Sequence, residues 1–398
     1  MKKKILFVVN FTRLPWEHGN SRFPYIASHI DKEKFDVELV TSTFLHNKKE
    51  HRNKNDENIG KQDYKITLID EPGYKKNIDI KRIWSHKKFA KNVEKYLNTL
   101  DRIDYIYLSI PSVSVAKVVA KYAKEKNIPL IVDVQDLWPE AFQMVLHVPI
   151  LSNLFFYPIK KNADYVYKSA DSLIAVSETY LKRALTVNKT AQNKLVVFLG
   201  TDLDEFDNAV DSNKVEYNDN IFRIAYIGTL GSSYDIKCVI DSLAILKERN
   251  INNILFKVMG RGPLENEFKS YAKEKKVNVE FTGYLNYTEM CPMLKACDIA
   301  VNPIVHGAAQ SIINKVGDYA AAGLPVVNTQ ECKEYRDIVQ NYEIGLNAEC
   351  GNARDLADKI QMLYNDEALR VQASQNNRRL AEEKFDRKVT YKDIINIF

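Results

Sequence analysis

Short apolar runs alternate with segments of helical period from one end of the chain to the other. In the first half, Lys4–Asn10, Phe35–Ser42, Ile66–Ile69, Asp104–Ser109, Pro129–Asp133, Ser172–Val176 and Leu195–Leu199 read as strands. Between them Arg22–Ile30, Ile80–Thr99, Ser112–Lys126, Ala163–Ser169 and Glu178–Ala184 carry a helical pattern, and the Lys- and Asn-rich Leu45–Asp63 reads as a loop. Strands this short and apolar are buried on both faces, which calls for helices on both sides of a parallel sheet. Thr201–Asn220 holds seven acidic residues and no helical period, so it reads as a linker. The pattern then restarts. Phe222–Ile227, Ile254–Met259, Val279–Thr282, Ile299–Val301 and Val326–Asn328 read as strands. Tyr234–Arg249, Leu264–Lys275, Tyr287–Ala296, Asn314–Ala322, Asp355–Leu363 and Asp366–Arg379 read as helices. The fold class is therefore α/β. Two doubly wound units predict Rossmann-like domains over residues 1–205 and 221–380, joined by a linker at 206–220 and facing each other across a cleft.

Composition changes this picture in few places. At 398 residues with 45% hydrophobic content, each half can bury a core, while Gly 14 and Pro 12 exclude collagen-like and low-complexity chains. Residues 1–200 carry 33 basic and 22 acidic groups; residues 201–398 carry 24 and 30. Two domains facing different chemistry would show such a split. No nucleic-acid motif accompanies the positive charge, so no nucleic-acid partner is expected. Five cysteines, all in the second half and without a C-x-x-C pair, read as reduced structural thiols. The basic start at Lys2 leads into too short an apolar run for a signal peptide. The most apolar window, Met144 to Ile159, is interrupted by His147, Pro149, Ser152, Asn153 and Pro158, so no membrane span is expected. A cytoplasmic location is expected.

Seven segments carry candidate chemistry. Tyr226-Ile-Gly-Thr-Leu-Gly-Ser-Ser-Tyr234 turns from strand to helix, and Gly260-Arg-Gly-Pro263 closes the next strand. Small-residue turns at strand carboxyl ends place backbone N–H groups against an anion, although a plain connection has the same letters. Gln310 through Asp318 enters a helix that stops at Gly323 and Pro325, with Ser311, Asn314, Lys315 and Asp318 on one face. Lys315 could hold phosphate and Asp318 could accept from ribose hydroxyls; an N-cap with an exposed Lys–Asp pair is the alternative. Asp133-Val-Gln-Asp-Leu-Trp-Pro-Glu140 puts acids and an amide at a sheet edge, suited to hydroxyl recognition or acid–base work, or to a capped loop. Trp16 to Arg22 offers a polar loop in which Arg22 could meet a phosphate, and His18 and His306 are the histidines placed to face the cleft. Finally, Lys75, Lys76, Lys81, Arg82, Lys87, Lys88 and Lys91 interleave with Ile80, Ile83, Trp84 and Phe89, and an apolar stretch from Val145 to Tyr157 ends in Lys160-Lys161. Such surfaces bind anionic membrane faces, unless they are a solvated helix face and a core helix. No His/Cys/carboxylate cluster has metal-ligand spacing.

The run from Phe222 to Leu363 resembles the donor domain of GT-B-fold, retaining glycosyltransferases of family 4 (glycosyl transferases group 1). The likeness rests on Tyr226–Gly231, Val258–Pro263, Phe281–Leu285, Ala296–Pro303 and, most specifically, Asn314-Lys315 through Asp318 into Ala322–Val327. Ala170–Glu178, Leu199–Asp202 with Phe206, and Phe385-Asp-Arg387 resemble further landmarks. The resemblance implies donor binding by Gly228, Thr229, Gly231, Ser232, Arg261, Gly262, Tyr284, Ser311, Ile312, Asn314, Lys315 and Asp318. It implies acceptor binding by Gly19, Asn20, Arg22 and Gln135, catalytic or sugar-contacting roles for Asp136, Glu140 and Gln310, and no metal. It also implies a closing helix at 381–398 that crosses back onto the first domain. Two departures stand out. The family's paired glutamates fall on Gln310 and Asp318, and its phosphate-binding Arg and Lys fall on Thr229 and Tyr234. Lys315, Arg261 and backbone N–H groups are then left to neutralise a pyrophosphate.

Asp136 to Glu140 is similar to a string in transferases that build O-antigens or capsules. The expected activity is transfer of a sugar from a nucleotide sugar, UDP-linked by expectation, to a hydroxyl of a lipid-linked glycan, with retention and with peripheral contact at the inner membrane face. A sugar-nucleotide epimerase on the same fold and a non-catalytic partner subunit of a transferase are the alternatives.

Overall fold

The computed structural model describes the chain apart from residues 18–20, 77–78, 141–148 and 309–310 and the side chains of residues 149–155. Two units emerge: Met1–Val197 together with Tyr391–Phe398, and Phe198–Thr390. In the first, β1 (Lys3–Val9), β2 (Phe35–Ser42), the short hairpin β3 (Phe44–Leu45) and β4 (Glu50–His51), β5 (Lys65–Ile69), β6 (Tyr105–Ile110), β7 (Leu130–Val134), β8 (Ser172–Ala175) and β9 (Asn193–Val196) follow in chain order. Seven of them form one sheet in the order β5-β2-β1-β6-β7-β8-β9. Each pairing in it is parallel. The central strands are buried along almost their whole length, as continuous apolar runs require. Helices α1 (Arg22–His29), α2 (Ile80–Leu97) and α3 (Val113–Lys126) make crossovers between these strands.

The second unit repeats the plan with β10 (Phe222–Ile227), β11 (Ile254–Met259), β12 (Val279–Gly283), β13 (Ile299–Asn302), β14 (Val326–Asn328) and β15 (Gly345–Asn347), ordered β12-β11-β10-β13-β14-β15. Its pairings are parallel too. In both sheets the chain order reverses beside the first strand of the unit, and at that reversal the strand carboxyl ends leave a crevice for ligand.

Several sequence expectations need correction. The supposed linker contains a helix, Leu203–Ser212, capped by the Asp202 side chain. Leu203, Phe206 and Ala209 bury one face of it in the second unit's core. The spacing of these three is helical, but the intervening acids masked it. The helix Lys333–Asn341 and strand β15 had no predicted counterpart. That helix buries only Tyr335 and Val339, and the strand has three residues with one glycine, so neither produces a clear apolar period. The helix expected at Ala163–Ser169 begins at Pro149. At the end of the chain, Ala381–Phe385 stays with the second unit, where Phe385 stacks on Phe198 at 5.3 Å. Tyr391 and Ile394 enter the first unit's core with Phe7, Phe23 and Tyr107. Among the described residues no helix is long and apolar enough to cross a membrane.

Candidate functional site

At the crevice of the second sheet two glycine turns are joined backbone to backbone. Gly228 N donates to Met259 O at 3.0 Å, Leu230 N to Arg261 O at 3.0 Å, and Leu264 N to Leu230 O at 3.1 Å. A Cβ on Gly260 would lie 1.8 Å from the Gly228 carbonyl oxygen, and one on Gly262 would lie 2.2 Å from that of Leu230. Gly260 and Gly262 are therefore required by the contact between the turns, independent of any ligand. Gly228 has φ +126°, and a Cβ there would stand 3.0 Å from Lys315 Nζ. Thr229 and Ser232 are exposed on the rim, and the Gly231 carbonyl accepts from Tyr234 N. Beside them Arg261, Gly262, Lys269 and Thr282 line an open cavity of about 400 Å³, and the neighbouring Tyr284 is 63% exposed.

Lys315 is the centre of this site. It starts the helix Lys315–Ala321 and is 8% exposed. Its ammonium lies 3.8 Å from the centre of the Tyr234 ring and 4.0 Å from that of Tyr226. Among the described residues Nζ has no hydrogen-bond partner, and burial holds its pKa well below the ordinary lysine range. One turn on, Asp318 is part-buried and accepts from Thr201 Oγ1 at 3.1 Å and Tyr287 OH at 3.2 Å, both on Oδ1. Burial pushes Asp318 up to about 6. Ser311 and Ile312 are buried and Asn314 is exposed; Gln310 lies outside the described residues. The Ser311 carbonyl accepts from Gln330 Nε2 at 2.6 Å. Gln330 belongs to a buried set of amides in which Asn302 donates to Asn328 and Gln330, and Asn328 donates to Asn347. This set anchors the Ser311 loop to the ends of β13, β14 and β15. Its sequence signal is an asparagine closing each of three neighbouring strands. The tyrosine cage was also missed, because Tyr234 was weighed only as the loss of a cation.

The first unit treats its predicted residues differently. Arg22 is 3% exposed and is not available to an acceptor phosphate. Its Nε donates to Asp133 Oδ2 at 2.8 Å and its Nη1 to the Val197 carbonyl at 2.9 Å, and its guanidinium stacks over Tyr391 at 4.9 Å. Burial alone would lower its pKa, but Asp133 raises it overall. Asp133 also accepts from Tyr107 OH and from Gln135 Nε2, each at 2.6 Å, so Gln135 has one amide N–H committed and keeps its amide oxygen and second N–H. Asp136 accepts from Leu137 N, Trp138 Nε1 and Tyr180 OH, and burial raises its pKa. Glu140 is bound to the Arg183 guanidinium, which also holds Asp164; a carboxylate so paired is a poor base. Gly19, Asn20 and His18 lie outside the described residues, and His306 is exposed beside Glu331. Of the membrane-facing set, Phe89 is fully buried and Arg82 packs over Trp138 at 4.6 Å. Ile80, Ile83 and Trp84 are exposed. The described part of the second segment gives a buried Phe156 and a Tyr157 that is 61% exposed.

Residues 207–380 match the protein family described as Glycosyl transferases group 1. The capsular polysaccharide biosynthesis glycosyltransferase CapM of Staphylococcus aureus is 26% identical over 249 residues, covering 58% of this chain. The chain spans about three-fifths of the length of the curated relatives it matches, 61% for CapM. Among solved structures, sucrose-phosphate synthase from Thermosynechococcus elongatus superposes with a TM-score of 0.72 at 15% identity, covering 100% of this chain and 98% of the other. HepE of Anabaena, in complex with UDP, gives 0.68 at 14% identity and 99% coverage of both chains. The fold, two Rossmann-like units with parallel sheets, matches that of GT-B glycosyltransferase structures.

Arg22→Ala would leave the Asp133 carboxylate buried beside Tyr107 with its cation gone. Removal of one partner from such a pair costs about 3–5 kcal/mol, so denaturant unfolding is expected to show a loss of that size. Unchanged stability with a raised acceptor KM would restore Arg22 to the surface role expected from sequence.

Proposed function

We propose that this chain, starting from the group 1 glycosyltransferase match over residues 207–380, moves a sugar from a UDP-sugar to a hydroxyl of a lipid-linked glycan in capsule or O-antigen assembly. The observation that carries the reading is the Lys315 ammonium, buried beneath Gly228 between two tyrosine rings with no acidic partner among the described residues. Cation–π contact offsets about 2 kcal/mol of desolvation, less than the several kcal/mol that burial of an ion costs. A diphosphate arriving over the Gly228 turn supplies the missing charge. Two relatives support separate parts of the reading: HepE was solved with UDP, and CapM is named for capsular polysaccharide biosynthesis.

In this reading Gly228, Thr229, Gly231 and Ser232 present the turn to the diphosphate, and Arg261, Gly262 and Tyr284 border the nucleoside. Ser311, Ile312 and Asn314 form the loop under the phosphates. Asp318 accepts from ribose through Oδ2, since Oδ1 already holds two donors. Gln310, in the place of a glutamate, contacts the transferred sugar through its amide. Negative charge gathers on the departing diphosphate in the transition state. A cation and N–H groups already in position stabilise it there more than in the ground state, and no resident metal is required in this scheme. The sugar keeps its anomeric configuration, and Asp136 contacts the sugar or the acceptor hydroxyl. Ile80, Ile83 and Trp84, flanked by exposed Lys81, Lys87, Lys88 and Lys91, rest on the membrane's cytoplasmic face.

Incubation with UDP-sugars, with and without membrane lipid acceptors, tests the reading. Acceptor-dependent UDP release is expected; donor isomerisation without acceptor would make the chain an epimerase, and absence of both would make it a non-catalytic subunit.

Lys315→Met separates function from stability. Loss of one charge-assisted contact, worth about 1.5–3 kcal/mol, should weaken UDP binding about 10- to 100-fold by calorimetry. The melting temperature should hold or rise, because an unpaired buried charge is removed. A fall in melting temperature with UDP affinity intact would mark the lysine as structural.

The pH response follows from Asp318. Its carboxyl is raised to about 6, so it is ionised and able to accept above that value and protonated below it. Affinity for a UDP-sugar, whose diphosphate does not titrate in this range, should fall as pH is lowered through about 6. Asp318→Asn should abolish that step, and a step persisting in this variant would exclude Asp318 as its source.

A further inference from the structure

The chain leaves the first unit after Val197 and returns to it at Tyr391. Close to those crossings, and within the second unit, Thr201 is laced to the segment Phe385–Arg387. Thr201 N donates to Phe385 O at 2.7 Å and Arg387 N donates to Thr201 O at 3.2 Å, so the Thr201 backbone is held from both sides. Arg387 Nη2 also donates to the neighbouring Gly200 carbonyl at 3.3 Å. Thr201 is 2% exposed. A buried β-branched side chain on a backbone so held has little rotamer freedom. Its Oγ1 donates to Asp318 Oδ1 at 3.1 Å.

Two further residues serve the same contact. Tyr287, which opens the helix Tyr287–Lys295, donates its hydroxyl to the same Oδ1 at 3.2 Å. Its ring meets Phe206 edge-on, with centres 6.5 Å apart. Gly317, the residue before Asp318, leaves room for the threonine hydroxyl: a Cβ there would stand 2.8 Å from Thr201 Oγ1. The two oxygens of Asp318 are therefore unlike. Oδ1 holds two donors, and among the described residues nothing donates to Oδ2.

The charges around Asp318 agree with this division. Burial pushes its carboxyl up to about 6, the Thr201 and Tyr287 hydroxyls and then Arg387 pull it down, and Glu205 pushes it up. Burial first, and then Asp318, raises Tyr287 and Cys291, and burial raises Tyr319. All three keep their protons near neutral pH, so Tyr287 stays a donor. A hydroxyl that donates to a carboxylate favours its charged form.

We propose that Thr201 and Tyr287 are positioning residues for nucleotide binding: they hold Asp318 by Oδ1 and so leave Oδ2 turned to the ribose of the donor. The proposal rests on the UDP-sugar reading and deepens it. Neither residue touches the nucleotide; both act through Asp318. Because Thr201 is itself held by Phe385 and Arg387, the end of the second unit's chain takes part in shaping its donor site.

The experiment is calorimetric titration of the full chain with UDP, 2′-deoxy-UDP and 3′-deoxy-UDP at pH values on either side of about 6. The ratio of an analogue's Kd to that of UDP cancels the titration of the terminal phosphate, which all three ligands share. For the hydroxyl that meets Asp318, loss of one hydrogen bond to a charged group should give a ratio of about 10 at high pH, falling toward 1 as the carboxyl is protonated. Thr201→Val should raise the midpoint of that fall by about 1 pH unit, since a hydrogen bond favouring the charged form is removed. Thr201→Ser should keep the original midpoint. Tyr287→Phe should raise it as Thr201→Val does, and Gly317→Ala should raise it with the threonine hydroxyl still present but displaced. A midpoint unmoved by Thr201→Val, or moved equally by Thr201→Ser, overturns the proposal and leaves Thr201 a structural strap. Should Thr201→Val fail to fold, Tyr287→Phe and Gly317→Ala decide by the same readout. Absence of UDP binding at any pH would bring down the donor reading itself. UDP binding without a deoxy penalty would remove the ribose contact of Asp318, and this proposal with it, while the nucleotide reading stands. A penalty that titrates near 6 but is indifferent to all of these variants brings down the positioning roles alone.

Discussion

An ammonium group taken out of water without an acid to meet it is a standing cost to a folded protein, and the second unit buries Lys315 with no hydrogen-bond partner on Nζ among the described residues. Lys315 reaches its position because the helix beginning there points the side chain under β10, where Gly228 leaves the space that a Cβ would close. Tyr226 and Tyr234 supply ring faces in place of a carboxylate. Rings stabilise a cation without supplying an opposite charge, and burial still holds the Lys315 pKa well below the ordinary lysine range. The glycine turns answer to the same arrangement. Gly260 and Gly262 let the second turn lie flush against the first, which holds the Gly228 backbone over the lysine.

Buried charge is handled in two ways within one chain. Arg22 and Asp133 are paired, and the leftover acceptor capacity of the carboxylate is filled by Tyr107 and Gln135. A group so completely satisfied has nothing left to offer a substrate, and its contribution is to hold the first sheet's crevice in shape. Glu140 with Arg183 follows the same logic. Lys315 is instead enclosed by the Tyr226 and Tyr234 rings, and burial holds its pKa well below the ordinary lysine range. The two kinds of buried charge differ in these surroundings, a carboxylate in one case and ring faces in the other.

The amides Asn302, Asn328 and Gln330 connect the two levels of the second unit. They sit at the ends of β13 and β14, where the ladder stops and backbone groups would otherwise be left without partners, and they fasten the Ser311 carbonyl within the proposed phosphate loop. Precision at the loop thus derives from the rigid sheet beneath it.

Alternation of short apolar runs with helical segments was enough to read two doubly wound units, because strands of a parallel sheet are buried on both faces and are joined by crossover helices. Spacing also put Lys315 and Asp318 on one helix face beside two glycine turns. Where local pattern and packing diverged, sequence misled. Leu203, Phe206 and Ala209 were hidden among acids whose side chains point to water, and Phe89, grouped with the membrane-facing set, is fully buried. Arg22 could not be told from a surface arginine, since Asp133 lies 111 residues away along the chain. The cage around Lys315 and the hydroxyls on Asp318 bring together residues from distant segments, and only folding decides which distant residue meets a charge. Periodicity is a local property, readable in order along the chain; the state of a buried charge depends on every neighbour in space, and the tertiary structure alone assigned those.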